Sequence, residues 1–99
     1  MLVHTVFFYL KSDISAADRA MFATELAKLG TIDNIGGFYM GSPAEVPPRP
    51  VIDTTFDFSI TVVVDDVEAH NAYQIDPIHL AFIASCKHLW DRVQVYDVD

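Results

Sequence analysis

Cysteine occurs once, as Cys86. A single thiol excludes an internal disulfide framework and a cysteine-rich zinc site, and within its apolar helical run it acts as a small hydrophobe. Basic residues are also scarce: six Lys and Arg stand against fourteen Asp and Glu, a formal charge of −8. With no basic cluster or basic helix face to neutralise phosphates, nucleic acid and anionic membranes are poor partners. No stretch approaches the roughly 18 to 20 unbroken apolar residues of a membrane-spanning helix. Met1 to Lys11 has neither a basic leader nor a long apolar core, so the expected location is cytoplasmic. Glycine-rich phosphate loops, a serine in a nucleophile elbow, internal repeats and low-complexity segments are all missing. No cofactor is called for. The four histidines, His4, His70, His79 and His88, show no compact ligand spacing beyond Asp66 and His70 on one helical face, so no metal is expected either.

What the chain does have is apolar surface. The hydrophobic share is 52% and the aromatic share 12%, with a mean hydropathy of +0.26, for a single domain of 99 residues. A chain this short buries only about two-thirds of the surface its unfolded form exposes. Part of the excess is therefore expected to meet a partner.

Leu2 to Leu10 reads as a strand whose two alternating faces are both largely apolar. Ser15 to Asp18 has capping-box spacing, and Phe22, Leu26 and Leu29 follow at helical spacing before Gly30, predicting an amphipathic helix with a glycine stop. Ile35 to Met40 reads as a second strand. Ser42 to Pro50, with four prolines in nine residues, is predicted to be a loop that can extend over a cavity. From Thr55 to Val64 the residues Phe56, Phe58, Ile60, Val62 and Val64 share one face. Asp65-Asp66 and Asp76-Pro77 are helix-start signals that divide Val67 to His88 into two helical segments, and Arg92 to Val98 closes the chain as a strand. The order β-α-β-β-α-β predicts an α+β, ferredoxin-like domain with a four-stranded antiparallel sheet, a broken second helix, and both helical layers on one side. A second copy packed on the open sheet face would form a dimeric α/β barrel, so a homodimer is expected.

His4 in the first strand, the run Tyr73-Gln74-Ile75-Asp76-Pro77-Ile78-His79-Leu80-Ala81-Phe82 and the closing Val93-Gln94-Val95-Tyr96-Asp97 resemble the stress-responsive dimeric A/B barrel (Dabb) family over essentially the whole chain. The resemblance implies a subunit whose open sheet pairs with its twin, and a range of roles from stress response to polyketide cyclisation. In the cyclases, which look like cofactor-free aldolases, a histidine is the base and a tyrosine holds it or the substrate. Tyr73 and His79 match those positions, and His4 matches a pocket histidine. The sequence departs from the cyclases at Asp76, where they carry another histidine, and near Glu25 and Leu26, where they carry a pocket tyrosine.

Carbon–carbon bond formation beside a carbonyl needs a base effective near pH 7, and an imidazole with an unperturbed pKa of about 6.5 supplies one without a cofactor. The candidate site is therefore His79 as base, Tyr73 as its hydrogen-bonding partner and His4 as a group polarising a ligand carbonyl. The ligand would be a small, apolar or polyketide-like molecule held between sheet and helices. Two alternatives share the fold: a non-catalytic stress or interaction module with a filled barrel, and a cofactor-free monooxygenase of the antibiotic-biosynthesis type, for which Trp90 and Asn71 are the only support.

Overall fold

A computed structural model describes residues 1–99. The elements run β1 (Leu2–Leu10), α1 (Ala16–Ala27), β2 (Gly37–Gly41), β3 (Phe58–Val64), α2 (Val67–Gln74), α3 (Pro77–Cys86) and β4 (Trp90–Val98). The four strands form one antiparallel sheet in the order β2-β3-β1-β4. This is the expected ferredoxin-like arrangement. No helix is long and apolar enough to cross a membrane.

Burial alternates strictly along β1: Leu2, His4, Val6, Phe8 and Leu10 are buried, while Val3, Thr5, Phe7 and Tyr9 are half-covered. The first set meets the helices. Across it lie Ile60, Val62 and Val64 of β3 and, from the helices, the fully buried Phe22, Leu26 and Cys86. Phe8, Phe22, Phe82 and Trp90 form the centre of this layer, with ring centroids 5.4 to 6.4 Å apart in edge-on and tilted pairs. Such pairs each add about 0.5 to 1.5 kcal/mol beyond their buried area. Cys86 behaves as the small hydrophobe expected of it, and burial pushes its thiol up to about 11.

The caps are where the sequence places them. Ser15 Oγ accepts from the Asp18 N–H at 3.0 Å, Asp66 Oδ1 from Ala69 at 2.8 Å and Asp76 Oδ1 from Ile78 at 2.8 Å. Asp76 thus restarts the helix after Tyr73, with Pro77 in the first turn. Asp76→Ala removes that acceptor and is expected to lower stability by about 1 kcal/mol, read as a lower urea midpoint at unchanged slope.

Four expectations need correction. Gly30 does not end α1 through a left-handed conformation; the helix passes into a tighter 3-10 turn over Lys28–Thr31, and no glycine has positive φ. Its role is space, because a Cβ there would lie 2.8 Å from the Phe38 ring. Phe56 does not join the inner face: β3 starts at Phe58, and Phe56 folds onto the opposite side, its ring edge-on to Phe7 at 4.9 Å. The segment Ser42 to Pro50 is a loop, but none of its residues lines a cavity. Finally, β4 starts at Trp90, two residues before the alternating run. Tyr9 pairs with Arg92 and Leu10 with Trp90, so Asp91 is bulged out and Trp90 rotates onto the inner face.

The open face carries Val3, Thr5, Phe7 and Tyr9 with Thr61, Val63, Gln94 and Tyr96 beside them. Phe7 contacts both Phe56 and, at 6.3 Å, Tyr96, and the Arg92 guanidinium sits 4.0 Å above the Tyr9 ring. These side chains border a shallow depression of about 220 Å³.

Candidate functional site

The largest apolar cleft on the inner side holds about 290 Å³ between β1, β4 and the two segments α2 and α3. Its wall is mostly hydrocarbon and aromatic, with Val6, Phe8, Phe82, Trp90 and Val95 among its residues, and its polar atoms come from His4, Tyr73, Gln74 and His79. The three residues singled out in the sequence therefore reach one cavity. Val95, 42% exposed, stands at its rim.

Each polar side chain is set by a different element. His4 is on β1 between Leu2 and Val6 and is only 4% exposed. Tyr73 is in the last turn of α2 and is 3% exposed, and His79 is in the first turn of α3, half-buried. The Asp76-capped turn joins α2 to α3 and brings the Tyr73 and His79 rings edge-on at 5.0 Å. The expected hydrogen bond between them does not form. The Tyr73 hydroxyl and His79 Nδ1 are both buried without any partner. Ring packing, rather than a polar bond, sets their geometry.

His4 has the partner that Tyr73 and His79 lack. Its Nδ1 lies 2.5 Å from Asp97 Oδ1. A carboxylate can only accept, so Nδ1 carries a proton, and in the neutral ring Nε2 presents a lone pair. Gln74 Nε2 lies 3.4 Å from that lone pair and 3.3 Å from His70 Nε2. One amide nitrogen, with its two N–H groups, is thus shared between two imidazoles. His70 Nδ1 in turn sits 3.3 Å from Asn71 Oδ1. Asn71 is exposed beside His70 and does not line the cavity, whereas Trp90 does.

Asp97 and Gln74 carried no site role in the sequence, and His70 entered only beside Asp66, which is not its partner here. Asp97 faces His4 because β1 pairs antiparallel with β4 in a register that sets the two opposite each other, 93 positions apart. The nearest sequence signal is spacing on α2: His70, Tyr73 and Gln74 lie three and four apart, on the face toward β1.

The environment fixes the protonation of the two unpaired groups. Burial pushes the Tyr73 phenol well above its ordinary range, so it remains a hydrogen-bond donor. Burial also lowers His79, with the neighbouring His4 and His70 adding to it, against the Gln74 carbonyl and the Asp76 carboxylate, which pull the other way. His79 is therefore a neutral imidazole near pH 7, with a basic nitrogen available. The sign for stability follows from its lowered folded-state value: the unfolded chain takes up this proton first as pH falls. His79 leaves stability unaffected above its ordinary 6.5 and destabilises increasingly below it. His79→Gln is expected to unfold less readily than wild type, relative to their neutral values, as the pH is lowered from 6.5; urea midpoints along that series check it, and parallel curves would contradict it.

The architecture defines an A/B barrel subunit of ferredoxin-like type with a polar-tipped cavity between sheet and helices. Residues 2–99 match the stress responsive A/B barrel domain, Dabb, and the chain belongs to that family. Among solved structures it is similar to a Dabb family protein with a ferredoxin-like fold from Mesorhizobium loti (23% identity, TM-score 0.79, covering 99% of this chain and 94% of that one). It is also similar to a dimeric ferredoxin-like protein of unknown function from Thermobifida fusca (18%, 0.78, 98% and 88%). A third is the hydroxynitrile lyase of Passiflora edulis (15%, 0.76, 98% and 90%). At these identities the likeness is one of fold. No curated protein matches the chain.

Proposed function

We propose that the protein is a homodimeric A/B barrel that binds a small, largely apolar organic ligand bearing an oxygen function, and acts on it by cofactor-free acid–base chemistry of the lyase or cyclase kind. One observation carries this reading: two buried polar groups, the Tyr73 hydroxyl and His79 Nδ1, lack partners inside the molecule and line one apolar cleft of about 290 Å³. An unpaired buried polar group costs about 1 to 3 kcal/mol, and native structures retain such groups where a ligand or function satisfies them.

The chemistry follows from the protonation states. A neutral phenol donates a hydrogen bond to a ligand carbonyl oxygen, stabilising the charge that grows there as an adjacent C–H loses its proton. Neutral His79 takes that proton, and the resulting imidazolium returns it to the product or leaving group. His4, held by Asp97, adds a second oriented imidazole at the same cavity. The volume lies at the lower end of the usual range for ligand sites, which favours single-ring or short-chain ligands.

The cleft speaks against a filled barrel. For the monooxygenase alternative, Trp90 reaches the cavity but Asn71 does not. The apolar open sheet face and the dimeric Thermobifida relative support the homodimer.

The test is a thermal-shift panel of single-ring phenols, aromatic aldehydes and β-diketones. At least one class is expected to raise the melting temperature of the wild type, with the rise lost in Tyr73→Phe and His79→Gln. A panel without any shift, or a shift that both variants retain, overturns the assignment of this cleft.

A further inference from the structure

His4, His70 and Asp97 come from β1, α2 and β4, and their ligating atoms all lie within 4.8 Å of one another. Only His4 of the three lines the cavity described above. Two imidazoles and one carboxylate form a donor set suited to zinc and related divalent ions, with one coordination position left open. We propose that these three side chains bind a zinc-class divalent cation.

The distances fit an ion with small adjustments. His4 Nδ1 is 2.5 Å and His70 Nε2 is 3.8 Å from the same oxygen, Asp97 Oδ1. Ligand atoms around a tetrahedral ion with bonds of about 2.0 to 2.1 Å lie roughly 3.3 Å apart. Of these two pairs one opens and the other closes, each by less than about 1 Å, and the third pair, His4 to His70, lies within 4.8 Å and closes by up to about 1.5 Å. Asp97 is exposed enough to move, with 41% of its side chain accessible, while His4 and His70 are 5% and 18% accessible.

The hydrogen bonds around the cluster also suit it. His70 Nδ1 faces the Asn71 carbonyl oxygen, so its Nε2 already presents a lone pair toward Asp97 and Gln74. His4 Nδ1 gives up its proton when the ion binds, and Nε2 takes one in its place. Gln74 beside that nitrogen then accepts through Oε1 after an amide rotation, the outer support that metal-bound imidazoles use. The ion would thereby convert His4 from a hydrogen-bond acceptor to a donor on its cavity side. Binding of the cation does not depend on the proposed reaction, and the two can fail separately.

Untagged protein, stripped with a chelator, is titrated with Zn²⁺ against a chromophoric competitor and with Co²⁺ for its ligand-field absorption. One tight site per chain is expected, with the intense visible bands of a low-coordinate Co²⁺ site. His70→Ala and Asp97→Asn are each expected to weaken Zn²⁺ affinity by about tenfold or more. His88→Ala, remote from the cluster, leaves it unchanged. Circular dichroism and the metal-free melting temperature identify any variant that fails to fold, and the remaining variant then decides. Binding below one ion per chain, or equal affinity in wild type and every folded variant, overturns the site. Loss of affinity in His88→Ala places the ion elsewhere and overturns it too.

Discussion

Tyr73→Phe is expected to raise the unfolding free energy by about 1 to 2 kcal/mol while abolishing the response to cavity ligands. The substitution keeps the ring, and with it the edge-on contact to His79 at 5.0 Å and the packing in a residue only 3% exposed. It removes one buried hydroxyl without a partner. Equal shape with one fewer unsatisfied group is a stabilising exchange. A side chain retained at the expense of stability is one held for binding or chemistry. Urea denaturation of the two proteins decides the first half and the ligand panel the second. A variant less stable by 1 kcal/mol or so would mean that the hydroxyl has a bond in the folded chain, and the proposed role of Tyr73 would lose its physical basis.

The second large effect concerns assembly. Phe7 lies on the open sheet face, in contact with Phe56 and Tyr96 and bordered by Tyr9 and Arg92. In a two-fold interface the same residue enters twice, so Phe7→Glu buries two unpaired carboxylates in a protein already carrying a formal charge of −8. Dimer affinity is expected to fall by at least about a hundredfold, the equivalent of ~3 kcal/mol. Sedimentation of wild type as two chains and of the variant as one would bear this out. A wild type that sediments as one chain at micromolar concentration removes the dimer from the proposal.

How far these residues could be read from the sequence depended on range. Local signals carried the elements: the caps at Ser15, Asp66 and Asp76 lie within three residues of the N–H groups they satisfy, and each is found as expected. Alternation carried the inner face of β1, and with it the orientation of His4. Alternation failed wherever regular pairing was interrupted. A bulge at Asp91 turned Trp90 inward, and a strand beginning only at Phe58 let Phe56 cross to the other side. Family likeness placed Tyr73 and His79 near each other but not their bonding, because desolvation leaves no trace in spacing. Asp97 was out of reach for a different reason. Its partner is fixed by the register between the first and last strands, which no local pattern encodes.

Asp57 has an effect on the chain's tolerance of change. Its Oδ2 accepts from the Leu10 N–H at 2.8 Å, its Oδ1 accepts from Arg19 at 2.8 Å, and its own N–H donates to the Phe8 carbonyl at 2.8 Å. One residue thus ties the end of the long β2–β3 connection to the first strand and to α1. The proline-rich stretch before it has no comparable tie to the sheet; its backbone bonds, from Val46 to Ala44 and from Ile52 to Arg49, are local. Residues inserted between Pro43 and Pro50 therefore lengthen a tether whose far end is already anchored, at a closure cost that grows only slowly with length. The same insertion after Asp57 would separate the anchor from the strand that follows it. The connection is a natural port for grafted peptides or a second module, since none of Pro43 to Pro50 lines the cleft.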